Sequence, residues 1–572
     1  MESIALLFVL GALLVIGSSW LAPKIGIAAP ILLVVLGIGA SFIPGQEPLD
    51  IPPELILTVV LPPILYAAAV NVPMTDFRRN FGAISGLSVV LVVLSSVLIG
   101  FLLTWLLPGL PLPIGIALGA VVSPPDAVAA TSIGKRLGLP PRLVTVLEGE
   151  GLVNDATALV LLRSAVAAAA GGFAFLDVAS DFAFSVVVAL LIGAVVGVVT
   201  VWVRSRIDQP TLTTAISFVV PFLAFLPAEA LDASGVLAVV VAGLVTGFKA
   251  TRHLTAQDRI SERMNWRTIQ LVLENGVFLV MGYEISTIIA EVQRDGLSVW
   301  AAVGIGLIVV LALLIIRMFF TWPLLLSARR QQRKAERHLE RADQFLQRID
   351  AAQIDLADRG PRWERFGARL QRRRTEWQAL AGEGLGWRGG AVIAWSGMRG
   401  VVTLAAAQSL PDTVPFRPQL VLIAFTVAVF TLVFYGSTLP LVIRWLGISG
   451  PDEEARNTEV QELVDLLITA GSERLNSPEL RRADGEAYDP EHIEDVTARR
   501  AQLAQDFWEI RYAPESGSAA QRNALFREML SAEQAALIDA RASGQYSSEA
   551  LELAQMVLDT DLARTSQNGT IG

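Results

Sequence analysis

The sequence predicts an all-α polytopic membrane protein of about thirteen transmembrane helices, with inverted repeats, crossed discontinuous helices 5 and 12, and a helical cytoplasmic tail. Three observations predict it. Apolar residues fill 53% of the 572 positions and the mean hydropathy is +0.54. Apolar runs of roughly 20 residues, the length that crosses a hydrocarbon core, recur as far as residue 446. Two of these runs carry helix breakers at mid-span: Pro124-Pro125 in the fifth, and Gly397 and Gly400 around Arg399 in the twelfth.

The spans are expected at 3–22, 25–43, 54–71, 80–107, 112–134, 143–169, 181–204, 211–231, 234–249, 266–290, 297–326, 388–412 and 416–446. The first run follows Met1-Glu2-Ser3 without a positive leader and reads as a retained helix rather than a cleaved signal. Loop charge supports the count. Alternate loops hold Lys24, Arg78-Arg79, Lys135-Arg136 with Arg142, Arg204 with Arg206, and Lys249 through Arg267. The opposite set carries Glu47 with Asp50, Asp177 with Asp181, and Glu229 with Asp232. The positive-inside rule then places the N-terminus outside and the C-terminus in the cytoplasm of a multi-pass protein of the cell (inner) membrane.

Four segments follow: a transmembrane domain over 1–326, a basic cytoplasmic helical insert over 327–386, the last two spans within 387–449, and an acidic cytoplasmic domain over 450–572. The insert holds 14 Lys/Arg against 9 Asp/Glu. It reads as a solvated helical hairpin, or as an anchor on anionic lipid, where each base adds roughly 1 kcal/mol. The tail carries a net charge of −13 against −9 for the whole chain. Val460, Leu463, Val464 and Leu467 recur there at helical spacing, Ala535–Ile538 and Leu551–Leu558 look helical, and Thr565–Gly572 reads as disordered. No phosphate-binding fingerprint is visible in it, and neither a cofactor nor nucleic acid is expected. The absence of cysteine excludes disulfides and thiolate chemistry. The three histidines fall in polar loops or tails, so proton chemistry within the membrane rests on carboxylates.

Those carboxylates are few. Consecutive prolines remove two backbone donors, so span 5 cannot run unbroken through Ser123-Pro124-Pro125-Asp126. Freed carbonyls at membrane depth are tolerated where they face a cavity or an ion. Asp126 opens the second half-helix, where a negative charge is favoured, so capping and cation binding are both open to it. Span 6 carries Glu150, Asn154 and Asp155 near mid-membrane, roughly eleven to fifteen residues past the preceding loop. Gly151, one turn before Asp155, is expected to leave room beside that carboxylate. Arg163 lies about 12 Å further along the axis, too far to pair with it. Arg399 needs a buried partner, and Glu150 is the expected one. Glu274 is expected to line the core or pair with a neighbour, and Arg317 to snorkel or pair structurally.

At these residues the chain resembles the cation/proton antiporter-1 family, the bacterial NhaP-type and animal NHE-type sodium/proton exchangers. The resemblance covers about 1–446 and rests on motifs in order: Leu61-Pro62-Pro63-Ile64-Leu65-Tyr66, Ser123 through Ala129, Glu148 through Leu159, Ser234 through Gly243, Phe278 through Gly282, and Gly397 through Ala405. It implies an NhaA/NhaP-like fold and antiport of monovalent cations against protons, with no enzymatic activity. It also implies a homodimer in lipid, with a six-helix core moving against a dimerisation domain. The family's cation and proton site falls on Asp155 with Asn154, its discontinuous-helix aspartate on Asp126 beside Pro125 and Ser123, and its core-stabilising pair on Glu150 and Arg399. Pro125 and Gly151 stand where the family has hydroxyl side chains, and Ala67 where some bacterial relatives have glutamate. Main-chain or water oxygens then complete the shell around Asp155 and Asp126.

The implied reaction is Na⁺ (or Li⁺) exchanged for H⁺ by competition for Asp155, electroneutral because Asn154 replaces a second acid. A K⁺/H⁺ exchanger on the same scaffold is the alternative, followed by a cation channel or transporter-derived sensor. An intramembrane aspartyl protease would need a catalytic pair, and its Gly-x-Gly-Asp signature is absent.

Overall fold

The computed structural model describes residues 2–43, 51–171, 175–295, 298–351, 386–448, 453–477 and 486–512, with isolated residues within 367–377, 480–481 and 529–536. Every regular element among them is helical. Among the described residues, nine helices are long and apolar enough to cross a membrane, and three further apolar ones are shorter. With an interrupted twelfth they account for the thirteen spans.

In order these are α1 (Glu2–Ile25), α2 (Ala29–Ser41), α3 (Pro53–Asn71), α4 (Asp76–Leu106), α5a (Leu112–Val122), α5b (Ala127–Arg136) and α6 (Pro141–Ala169). Then come α7 (Phe175–Arg204), α8 (Pro210–Ala230), α9 (Gly235–His253) and α10 (Ala256–Tyr283, continued by Ile285–Arg294). The last spans are α11 (Val299–Ala351), α12a (Trp387–Trp395), α12b (Val401–Gln408) and α13 (Arg417–Leu446).

Local chemistry explains several boundaries. The prolines at 62 and 63 cannot donate, and the turn before them is widened into a π-helical stretch, Ile56–Val60, that keeps α3 continuous. Helix α10 begins ten residues before the expected 266. A capping box starts it, with Thr255 and Asp258 satisfying each other's backbone donors. Helix α11 runs past 326 without a break, so the insert opens as a continuation of the membrane helix. Its polar extension carries Asp343, paired with Arg374 at 2.5 Å, and His338, stacked on Trp377.

Apolar packing within Met1–Gly450 forms two main clusters. One joins α1, α2, α4, α5a, α5b, α6 and α10 to α11, α12a, α12b and α13; the other joins α3, α7, α8 and α9, with further residues of α4, α6 and α10. In the first, α12b packs on α5a, and α13 touches both halves of the fifth span. The two broken helices therefore meet at their breaks, as expected for inverted repeats 4–5–6 and 11–12–13.

Pro451–Gly572 forms a separate unit. Its helices Glu453–Leu475 and Pro490–Tyr512 pack on each other. Leu551–Leu558, Thr565–Gly572, the Glu47 and Asp50 loop, and most of Ala535–Ile538 and of the insert's second half lie outside the described residues.

Candidate functional site

The site is built where the two chain breaks cross. In the fifth span the helix stops at Val122 and resumes at Ala127, with Asp126 as N-cap and its Oδ1 accepting from the Val128 amide at 2.8 Å. In the twelfth, residues Ser396–Gly400 are non-helical. The Asp126 amide donates to the Met398 carbonyl at 2.6 Å, tying one break to the other. A side chain at position 400 would overlap the Asp126 carboxylate, so only glycine permits this crossing.

Arg399 serves the same junction. Its amide donates to Thr431 Oγ1 on α13 at 3.0 Å. Its guanidinium donates to the carbonyls of Val122 at 2.8 Å, Ser123 at 3.1 Å and Gly397. These are carbonyls that the broken helices leave without amide partners, and a fixed cation offsets the negative end of α5a. The expected pairing of Glu150 with Arg399 is therefore corrected. Glu150 pairs instead with Arg317 of α11, bidentately at 2.6 and 2.8 Å, and both side chains are buried. Arg317 Nε also donates to the Ile393 carbonyl of α12a at 3.0 Å. The two breaks together decide this outcome, because they present Arg399 with three carbonyls before any carboxylate. The signal that could have found the pair was the lone arginine inside the apolar run of span 11.

Asn154 is fully buried, and its Nδ2 donates to the Pro125 carbonyl at 2.7 Å, so α6 satisfies an oxygen released by the double proline. Its Oδ1 has no hydrogen-bond partner among the described residues. Asp155, the next residue, lies within electrostatic range of Asp126. Neither Asp155 nor Asp126 has an ion-pair partner among the described residues. Ser123 spends its hydroxyl proton on the Gly119 carbonyl at 2.6 Å. The space expected beside Gly151 is filled: a Cβ there would stand 2.5 Å from that of Ala127. Gly151 lets α6 press against the start of α5b.

This contact predicts that Gly151→Ser overpacks the junction by about 1–3 kcal/mol, lowering Tm by several degrees. Adding Ala127→Gly should restore much of it. An unchanged melting curve for Gly151→Ser in detergent would refute the contact.

Other charges find partners outside this junction. Arg163 bonds Glu229 at 2.6 Å and Lys135 bonds Glu148 at 2.7 Å, both partly exposed. Such pairs contribute about 0–1 kcal/mol. Arg204, assigned above to a loop, is buried and bonded bidentately to Glu262 of α10 at 3.0 and 2.8 Å. The early start of α10 brings Glu262 there.

Comparison with known proteins follows the same outline. The family described as sodium/hydrogen exchanger, transmembrane, matches residues 9–445. An uncharacterized Na⁺/H⁺ exchanger of Mycobacterium tuberculosis is 28% identical over 79% of this chain and 78% of its own length. The Na⁺/H⁺ antiporter ApNhaP of Aphanothece halophytica is 27% identical, covering 76% of this chain and 72% of its own. A sodium, potassium, lithium and rubidium/H⁺ antiporter of Bacillus subtilis is 25% identical over 79% of this chain and 63% of its own. The solved sodium proton antiporter MjNhaP1 of Methanocaldococcus jannaschii shares the fold, with a TM-score of 0.54 at 17% identity, covering 78% of this chain and 99% of that one.

Proposed function

Since the chain belongs to the sodium/hydrogen exchanger family and exchanges monovalent cations for protons, we propose that it does so by competition of one cation and one proton for Asp155. The observation that carries the reading is an acidic pair, Asp155 and Asp126, at the crossing of two broken helices, with no base at ion-pair distance among the described residues. A bare carboxylate in low dielectric is costly, and either a proton or a monovalent cation removes that cost. The loaded site can then reorient across the membrane, while the empty, charged one is held back. One carboxylate carrying one charge makes the exchange electroneutral.

Around Asp155, the Asn154 Oδ1, the second lone pair of the Pro125 carbonyl and the Asp126 carboxylate are the oxygens that would receive the ion. Ser123 contributes through its backbone, whose carbonyl meets Arg399. Glu150 and Arg399 stabilise the core in this reading, through separate partners. The tail and insert have no assigned role in it. The basic loops set the N-terminus outside and the C-terminus in the cytoplasm of a cell membrane, and the family resemblance implies a homodimer.

Na⁺, with Li⁺ alongside it, is the cation of this reading. K⁺ is the second choice, supported by the Bacillus subtilis relative, which is named for sodium, potassium, lithium and rubidium alike. Full-length protein in proteoliposomes with a pH-sensitive dye should show proton movement driven by Na⁺ and Li⁺ pulses, and less by K⁺. Equal or stronger K⁺ responses would shift the assignment to K⁺, and conductance without proton movement would remove antiport.

A further inference from the structure

Helix α10 carries a carboxylate that the reading above does not use. Glu274 stands near the middle of the apolar span Gln257–Arg294. Its Oε1 accepts from the Gln270 amide at 2.6 Å, and it has no ion-pair partner among the described residues.

The packing of α10 fixes the level of this group. One turn further along, Val277 packs with Ala405 of α12b and Ile56 of α3. Further still, Gln408 Nε2 of α12b donates to Glu284 Oε2 at 2.9 Å. The two helices thus run side by side in the same direction. Glu274 precedes Val277 by three residues, and Gly400 precedes Ala405 by five. Both steps are of order one turn, so Glu274 lies about level with the start of α12b. That start is where Gly400 abuts the Asp126 carboxylate. Consistently, Glu274 lies within electrostatic range of Asp126.

Three acids therefore gather around one crossing with no base at ion-pair distance among the described residues. The fully buried Asn154 Oδ1, whose amide nitrogen is held by Pro125, is left beside them without a donor among the described residues. Uncompensated carboxylates and an unsatisfied acceptor at membrane depth call for a positive ligand. We propose that Glu274 is a third carboxylate on the cation's route, holding the monovalent ion beside Asp126 before it reaches Asp155. The apolar contact of Ile56, Val277 and Ala405 closes the path one turn beyond it, so the ion reaches Glu274 from the α5b side of the crossing.

This inference rests on Asp155 as the exchange site, and the two fail differently. If Asp155 is not the site, Asp155→Asn still exchanges; Glu274 is read only in cation affinity. With full-length protein in proteoliposomes at fixed pH, Glu274→Gln is expected to raise the apparent KM for Na⁺ roughly tenfold and to leave the maximal rate within about twofold. Glu274→Asp keeps the charge with a shorter reach, so a smaller rise is expected; it decides the matter if the Gln variant does not fold. A wild-type KM in these variants overturns the proposal. So does a fall in maximal rate at unchanged KM, which marks a packing role.

Discussion

Replacing Asp155 by Asn is expected to abolish cation-driven proton movement while leaving the fold intact. The substitution is isosteric, and no hydrogen bond within the protein depends on the Asp155 carboxylate among the described residues, so stability should change little. What disappears is the one negative charge on α6 that either a proton or a cation can neutralise. In proteoliposomes, a Na⁺ pulse that relaxes a preset pH gradient through the wild type should leave it standing through the variant. Competition adds a second reading on the wild type. In the proposed mechanism protons and cations seek the same oxygens, so the apparent KM for Na⁺ should rise as pH falls, with the rate at saturating Na⁺ unaffected by that competition. Normal exchange in Asp155→Asn, or a KM indifferent to pH, would remove Asp155 from the site.

The second large effect concerns the buried ion pair. Glu150 and Arg317 bind each other through two short bonds on facing helices, α6 and α11, with almost no solvent contact. Either Glu150→Gln or Arg317→Met strands a charge and should destabilise the protein by about 3–5 kcal/mol, seen as a lowered melting temperature. The double variant should recover much of that loss, since no charge is then left buried without its counter-charge. A double-mutant cycle between Glu150 and Arg317 is therefore expected to give a large coupling, and one between Glu150 and Arg399 a small one. The reverse order would restore the pairing that sequence suggested and would contradict the geometry.

These two results divide along what the sequence made legible. The thirteen spans, the two breaks and the acids at mid-span could be read in advance. Each is a local property: a run of apolar residues long enough for a bilayer, two prolines without amide donors, glycines beside an arginine, a carboxylate where water is scarce. Asp126 as cap and charge followed from its place after Pro125, and the structure finds its side chain on the Val128 amide. Asn154 beside Asp155 was equally visible, though not the bond from Asn154 to Pro125 that brings α6 against the broken helix.

Partnerships were another matter. Arg399 and Arg317 are both arginines in apolar runs, and nothing in either run says which meets Glu150. That depends on how far each guanidinium lies from carbonyls released by the breaks. Arg399 is surrounded by three such carbonyls, which leaves Arg317 for the acid. Gly151 reads from sequence as spare room, yet its space is filled by Ala127 from another helix. Arg204 reads as loop charge, yet α10 begins early enough to bury it against Glu262. By itself, then, the chain determined that a membrane helix bundle would carry unpaired acids at its centre, because hydropathy and backbone chemistry act over a few residues. Only the tertiary structure decided which charges are neutralised within the protein and which are left without an ion-pair partner among the described residues, because that depends on distances between segments far apart in sequence.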